Sequence, residues 1–289
     1  MTTQAAQKMN IGEMVMHHAG DANEIDFEPF GIVHLPTFEP MHLGPITLDL
    51  SPTRHVVFMI LAAVLVFLTM WLTGKTLARQ GAHRTAPRGF AAAIEGLVLY
   101  VRDEVVFASM GRENGRKFVP LILTFFFFIL YGNVLGLLPW GAAFTSNIGV
   151  TVGLALITFF VVEIAGMMKL GFAGYMGTIF PHIDGMGKVG ATTVSVLMGP
   201  VEFLGKLTKP LALALRLFGN ILAGHFVVLS FLGLIFMFGH MPGINWGVGI
   251  GTTFLVVAVM LLEVIVSLVQ AYVFALLSAT FIGMMQEHH

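Results

Sequence analysis

Apolar residues fill most of this chain in runs too long for a soluble core, with polar residues gathered between them. A helix crosses the hydrocarbon of a bilayer with about 20 apolar residues. The pattern predicts five crossings, over 55–74, 118–138, 147–168, 191–238 and 245–286. The last two are about twice as long as a crossing requires, so they must tilt strongly or run partly along the membrane plane. A different period stands at 87–107. Arg88, Glu95 and Arg102 recur every seven residues on one helical face, while Phe90, Ile94, Leu97, Val101 and Val105 line another. This predicts an amphipathic helix begun at Pro87. The stripe is expected to lay the helix along the cytoplasmic membrane surface, with a segment packed on another subunit as the alternative.

Composition fixes the class. The chain is 56% hydrophobic and 11% charged, where a soluble domain carries about 25% charged residues. The expected fold is an all-α integral membrane protein. Residues 1–54 carry seven acids (Glu13, Asp21, Glu24, Asp26, Glu28, Glu39, Asp49) against Lys8 and Arg54, and no apolar run long enough for a signal peptide. They form an acidic, polar extension ahead of a membrane domain at 55–289. Residues 75–117 carry eight basic residues against four acids, which places that stretch in the cytoplasm. The N-terminal extension then lies outside, and the C-terminus, after a fifth crossing, inside. The glycine-rich stretch 171–190 is expected to be a cytoplasmic loop.

Several chemistries drop out. With no cysteine there is no disulfide, thiolate or cysteine-bound metal. A net charge of −1 argues against nucleic acid. Gly74-Lys75-Thr76 lacks the glycine five residues earlier that a phosphate-binding loop requires, because Thr69 stands there, so no nucleotide is expected to bind directly. Neither a His-Glu-x-x-His helix nor a Gly-x-Ser-x-Gly elbow occurs. His182 and Asp184 are too few to make a metal site, and no metal or cofactor is expected.

What remains is a set of polar residues inside the final two apolar runs. Arg216 is the one Asp, Glu, Lys or Arg between Pro210 and Phe238. A guanidinium at membrane depth costs roughly 2.5 to 3.5 kcal/mol and cannot shed its proton, so a specific need for permanent positive charge is implied. Lys206 and Lys209 mark the helix end, and Arg216 lies two turns deeper. Asn220 and His225 follow on the same run, with Glu263, Ser267 and Gln270 on the next. In an antiparallel hairpin the pairs 216/270, 220/267 and 225/263 share a midpoint at about 243.5, where Pro242-Gly243 supplies the turn. Glu263, Ser267 and Gln270, spaced four and three apart, make a polar seam on one helix face. His225 falls on the opposite face from Arg216 and Asn220, which suggests two separate polar routes. His225 and Glu263 suit the passing of protons, and would also serve as a buried pair holding the hairpin together. Ala212, Gly219 and Ala223 form a small-residue stripe beside Arg216, fit either for packing within the chain or for close approach of a foreign helix. Glu163, near Lys169, reads as an interfacial anchor, or as part of a polar cavity wall. From these residues alone, an ion-conducting role is indicated, with a stand-alone channel or secondary transporter as an alternative, though no internal repeat of the transporter kind is evident.

The run from Lys209-Pro-Leu-Ala-Leu-Ala-Leu-Arg-Leu-Phe-Gly-Asn to His225, followed by Glu263 through Gln270-Ala-Tyr-Val-Phe274, resembles subunit a of the rotary F-type ATP synthases. The resemblance covers the chain from about residue 40 onward. It implies a non-catalytic proton-translocating stator subunit in the bacterial plasma (inner) membrane. The implied partners are the c-subunit ring, the b-subunit peripheral stalk, other subunits of the synthase and membrane lipids. It further implies that Arg216 faces the carboxylate of each passing c-subunit, promoting its deprotonation and blocking leak. Two offset half-channels involve Asn220, His225, Glu263, Ser267 and Gln270, with Glu202 near the cytoplasmic exit. Some family members carry Glu and His in reverse order at 225 and 263. Some have Asp where this chain has Asn147, which carries no charge.

Overall fold

The computed structural model describes residues 22–26, 31–39, 41–43, 46–48, 51–82, 89–138, 140–180, 188–238, 241 and 244–287. Pro87, Arg88, His182, Asp184, Pro242, Gly243 and most of the acidic head fall outside them. Two short antiparallel hairpins open the described chain, β1 (Glu24–Asp26) with β2 (Ile32–His34) and β3 (Met41–Leu43) with β4 (Ile46–Leu48). The sequence pattern does not predict them, because strands of three residues are too short to register a period. Gly31, at φ 125°, leads into β2 in a conformation open mainly to glycine.

The helices are α1 (Arg54–Ala82), α2 (Phe90–Tyr100), a π-helical turn (Val101–Phe107), α3 (Ala108–Gly115), α4 (Val119–Gly136), α5 (Ile148–Ile179), α6 (Lys188–Phe238) and α7 (Ile244–Glu287). Among the described residues, α1, α4, α5, α6 and α7 are long and apolar enough to cross a membrane. With 51 residues, α6 is about 76 Å long, against a hydrocarbon core of about 30 Å.

Two expected boundaries move. Helix α1 continues past Gly74 to Ala82, because a lone glycine weakens a helix without ending it. Thr76 Oγ1 donates to the Leu72 carbonyl at 2.8 Å, and Lys75 Nζ lies 3.6 Å from the Trp71 ring centroid. Helix α5 likewise resumes after a kink at Gly171 (φ 71°) and runs to Ile179, through residues expected in a loop. The segment expected as one helix at 87–107 is broken differently. The α2 helix widens into the π turn, where Val101, Val105 and Val106 are fully buried while Asp103 and Glu104 are exposed. Hydrogen bonds from Arg102 hold the Asp103 carboxyl below its ordinary range.

The chain divides into two compact units. The first comprises Met1–Leu65, Ile129–Asn147 and Phe218–Gln270. In it Leu35 N donates to the Asn23 carbonyl and Arg54 N to the Ala22 carbonyl, both at 2.8 Å, tying the first hairpin to the start of α1. Buried Thr145 donates to Asn133 Oδ1 at 2.6 Å, and Asn133 Nδ2 to the Ser267 carbonyl at 3.4 Å. A Cβ at Gly132 would collide with the buried Phe144 ring, so glycine is what lets the return segment close on α4.

The second unit comprises Val66–Phe128, Ile148–Leu217 and Ala271–His289. Ala271, Ala275 and Ala279, one turn apart on α7, are fully buried, the small-residue seam by which helices approach closely in lipid. The Phe274 ring meets Phe125 edge-on at 5.5 Å, and a Cβ at Gly283 would strike the Ser109 carbonyl.

Candidate functional site

Helix α6 has two unlike faces around its arginine. Leu213, Ala214, Leu217 and Ile221 are at most 2% exposed. Ala212, Arg216, Gly219, Asn220 and Ala223 are exposed, and their spacing sets them in one stripe. In the most apolar 18-residue stretch of α6 only 11% of the residues are buried, against 50% for α4. A Cβ on Gly219 would meet nothing within 4 Å. Packing inside the chain therefore does not call for glycine there.

The first unit contains a cavity of about 550 Å³ whose lining includes Arg54, His55, Trp140, Ser146, His225 and Glu263. Ser146 Oγ lies 3.5 Å from His55 Nε2. Glu263 is 5% exposed, and a Cβ on Gly224 would come within 2.7 Å of its Oε1. The carboxylate thus sits against the backbone beside His225, at the depth the hairpin midpoint predicts. Ser267 and Gln270, on the same face of α7, are also buried. Asn220 is not brought to this cavity; it lies on the exposed stripe.

The second unit contains another cavity, of about 630 Å³, lined in part by Glu163, Thr178, Glu202, Lys206 and Lys209. Glu163 is 7% exposed, and of its two expected positions it takes the one in a cavity wall. Its Oε2 accepts a hydrogen bond from the Tyr175 hydroxyl and lies 3.6 Å from Lys206 Nζ. Lys206 Nζ donates to Thr178 Oγ1 at 2.9 Å. Lys206 is 8% exposed, buried where the sequence had marked a helix end. Glu202 is exposed at the same cavity. Among the described residues, no group of three metal-ligating side chains occurs.

Sequence reasoning missed Arg54, His55 and Ser146, which lie at boundaries of predicted crossings, and Tyr175 and Thr178, which lie in the stretch assigned to a loop.

The family model described as ATP synthase A chain matches residues 56–283, most of the chain. The chain belongs to that family. Among its relatives is an ATP synthase subunit a from Myxococcus xanthus, 46% identical over 84% of this chain and 76% of its own length. Another, from Chloroherpeton thalassium, is 41% identical over 94% of this chain and 76% of its own. A third, from Anaeromyxobacter dehalogenans, is 38% identical over 97% and 72%. With five helices fit to cross a membrane, this member of the ATP synthase A chain family is an integral multi-pass membrane protein.

Proposed function

We propose that this chain is the proton-translocating stator subunit of a rotary ATP synthase in the bacterial inner membrane, and that Arg216 is its electrostatic gate against a moving c-subunit ring. The charge balance of 75–117 supports a cytoplasmic position for that segment and an outside position for the head. Protons enter from outside through the cavity of His225 and Glu263, two groups that exchange protons readily. Each proton neutralises a rotor carboxylate, which then turns into lipid. After nearly a full rotation the carboxylate meets Arg216, whose fixed charge favours its ionised form. The proton leaves through the cavity of Glu202. A potential of 100 mV contributes about 2.3 kcal/mol per proton, comparable to the roughly 1.36 kcal/mol carried by each unit of pKa change. Because Arg216 keeps its proton, it also bars a direct leak between the two routes.

The observation that carries this reading is the exposed α6 stripe, in which Arg216 stands among Ala212, Gly219 and Ala223. Small residues beside a permanent cation admit a foreign helix bearing an acid. The chain has no cysteine, so a single thiol at Ala212 is a clean probe. In the assembled complex, Ala212→Cys should crosslink to the small two-helix c-subunit. Crosslinking confined to this chain, with none to the ring, would contradict the proposal.

A further inference from the structure

Glu163 and Lys206 are charged, buried, and given no part by the proton path as stated above. A buried ion pair seldom stabilises a fold more than apolar residues of the same size would. This one, moreover, borders a cavity instead of a packed core. Its geometry is uneven. Lys206 Nζ donates to Thr178 Oγ1 at 2.9 Å and stands 3.6 Å from Glu163 Oε2, beyond the roughly 2.7 to 2.9 Å of a direct charge-assisted hydrogen bond. Thr178 thus holds the ammonium as a fixed cation near the carboxylate. The Tyr175 hydroxyl also addresses Oε2. Both contacts use one carboxylate oxygen, Oε2, and Glu163 lines the cavity. Glu202, Lys206 and Lys209, at spacings of four and three on α6, present their charges to the same space. Helix α7 adds Phe281, Met284 and Met285, none of them titratable.

We infer that Glu163 is a proton-relay group of the inner route, with Lys206 as its fixed counter-charge and Tyr175 and Thr178 as positioning residues. The inference rests on the reading of this cavity as the cytoplasmic exit. As the rotor carboxyl O–H bond breaks, directly or through water, an O–H bond forms at the Glu163 carboxylate. That bond then breaks to cytoplasmic water and the carboxylate is regenerated. Lys206 keeps its three N–H bonds throughout. The competing account is a clamp, in which the pair only joins α5 to α6.

The test uses the whole complex in inverted vesicles, stripped of its soluble head, with passive proton conduction followed as a function of pH and the amount of assembled chain measured in parallel. Glu163→Gln keeps the size and an acceptor for Tyr175 but takes up no proton. The double variant Glu163→Gln/Lys206→Met also removes the stranded cation. A relay predicts that the double variant assembles yet conducts about ten-fold less, a modest loss for a proton-transfer group because Glu202 remains. Recovery of both assembly and conduction in the double variant would establish the clamp and overturn the relay. Glu163→Asp provides an independent reading, since the shorter carboxylate should shift the pH profile of conduction with assembly unchanged; an unshifted profile contradicts the relay. Arg216→Ala, assayed for coupling in vesicles that retain the soluble head, separates the two claims. If Arg216→Ala uncouples the motor while the Glu163 variants conduct normally, only the relay fails; if Arg216→Ala couples normally, the underlying proton path fails.

Discussion

Gly224 determines where the Glu263 carboxylate can rest. A methyl group there would come within 2.7 Å of Glu263 Oε1, so Gly224→Ala must push the carboxylate away from its place beside His225. We expect passive proton conduction through the stripped complex to fall several-fold. Stability should drop by no more than about 1–3 kcal/mol, the usual cost of overpacking. Gly219 makes the opposite case. Nothing within 4 Å would meet its Cβ, so Gly219→Ala should leave the thermal stability of the detergent-solubilised chain unchanged or slightly raised. ATP-driven proton pumping in the assembled complex should nonetheless fall, because the added methyl would stand in the path of a closely approaching rotor helix; intact pumping would remove Gly219 from that surface. At this scale the sequence is legible where a charge interrupts an apolar run, as with Arg216 and Glu263. It is much less so for Tyr175 and Thr178, whose hydroxyls acquire meaning only when folding brings Glu163 and Lys206 to them.

Glycine accounts for most of the distance between the expected and observed elements. Gly74 and Gly171 both read as stops, yet α1 passes the first and α5 merely kinks at the second. A single glycine costs a helix about 1 kcal/mol, less than the backbone hydrogen bonds that lipid demands of a continuing helix. Hydrophobic length, by contrast, is a strong signal, since no other structure satisfies an apolar backbone of that span. Helix α7 carries a prediction of its own. A Cβ on Gly283 would strike the Ser109 carbonyl, backbone that cannot swing aside, so Gly283→Ala should lower the melting temperature of the solubilised chain by an amount equivalent to about 1–3 kcal/mol. Gly249→Ala, which meets nothing within 4 Å, is the matched comparison and should not lower it.

Taken whole, the described residues supply two polar cavities and, in Arg216, a cation exposed within an apolar helix; on the proposed function the mobile carrier is the rotor's. Reconstituted alone in vesicles, the chain should conduct no protons above the lipid background; conduction by the isolated chain would favour a channel. The division of labour also explains what a single sequence can express. The fixed charge and the titratable cavity walls are written in this chain, while on the proposed function the acid they act on belongs to another. The most direct measurement is ATP synthesis driven by a proton gradient in vesicles carrying the Arg216→Ala complex. Synthesis should fall to background while passive proton leak persists, because the permanent charge proposed both to discharge the rotor and to bar the leak is gone. Normal coupled synthesis by that complex would contradict the account.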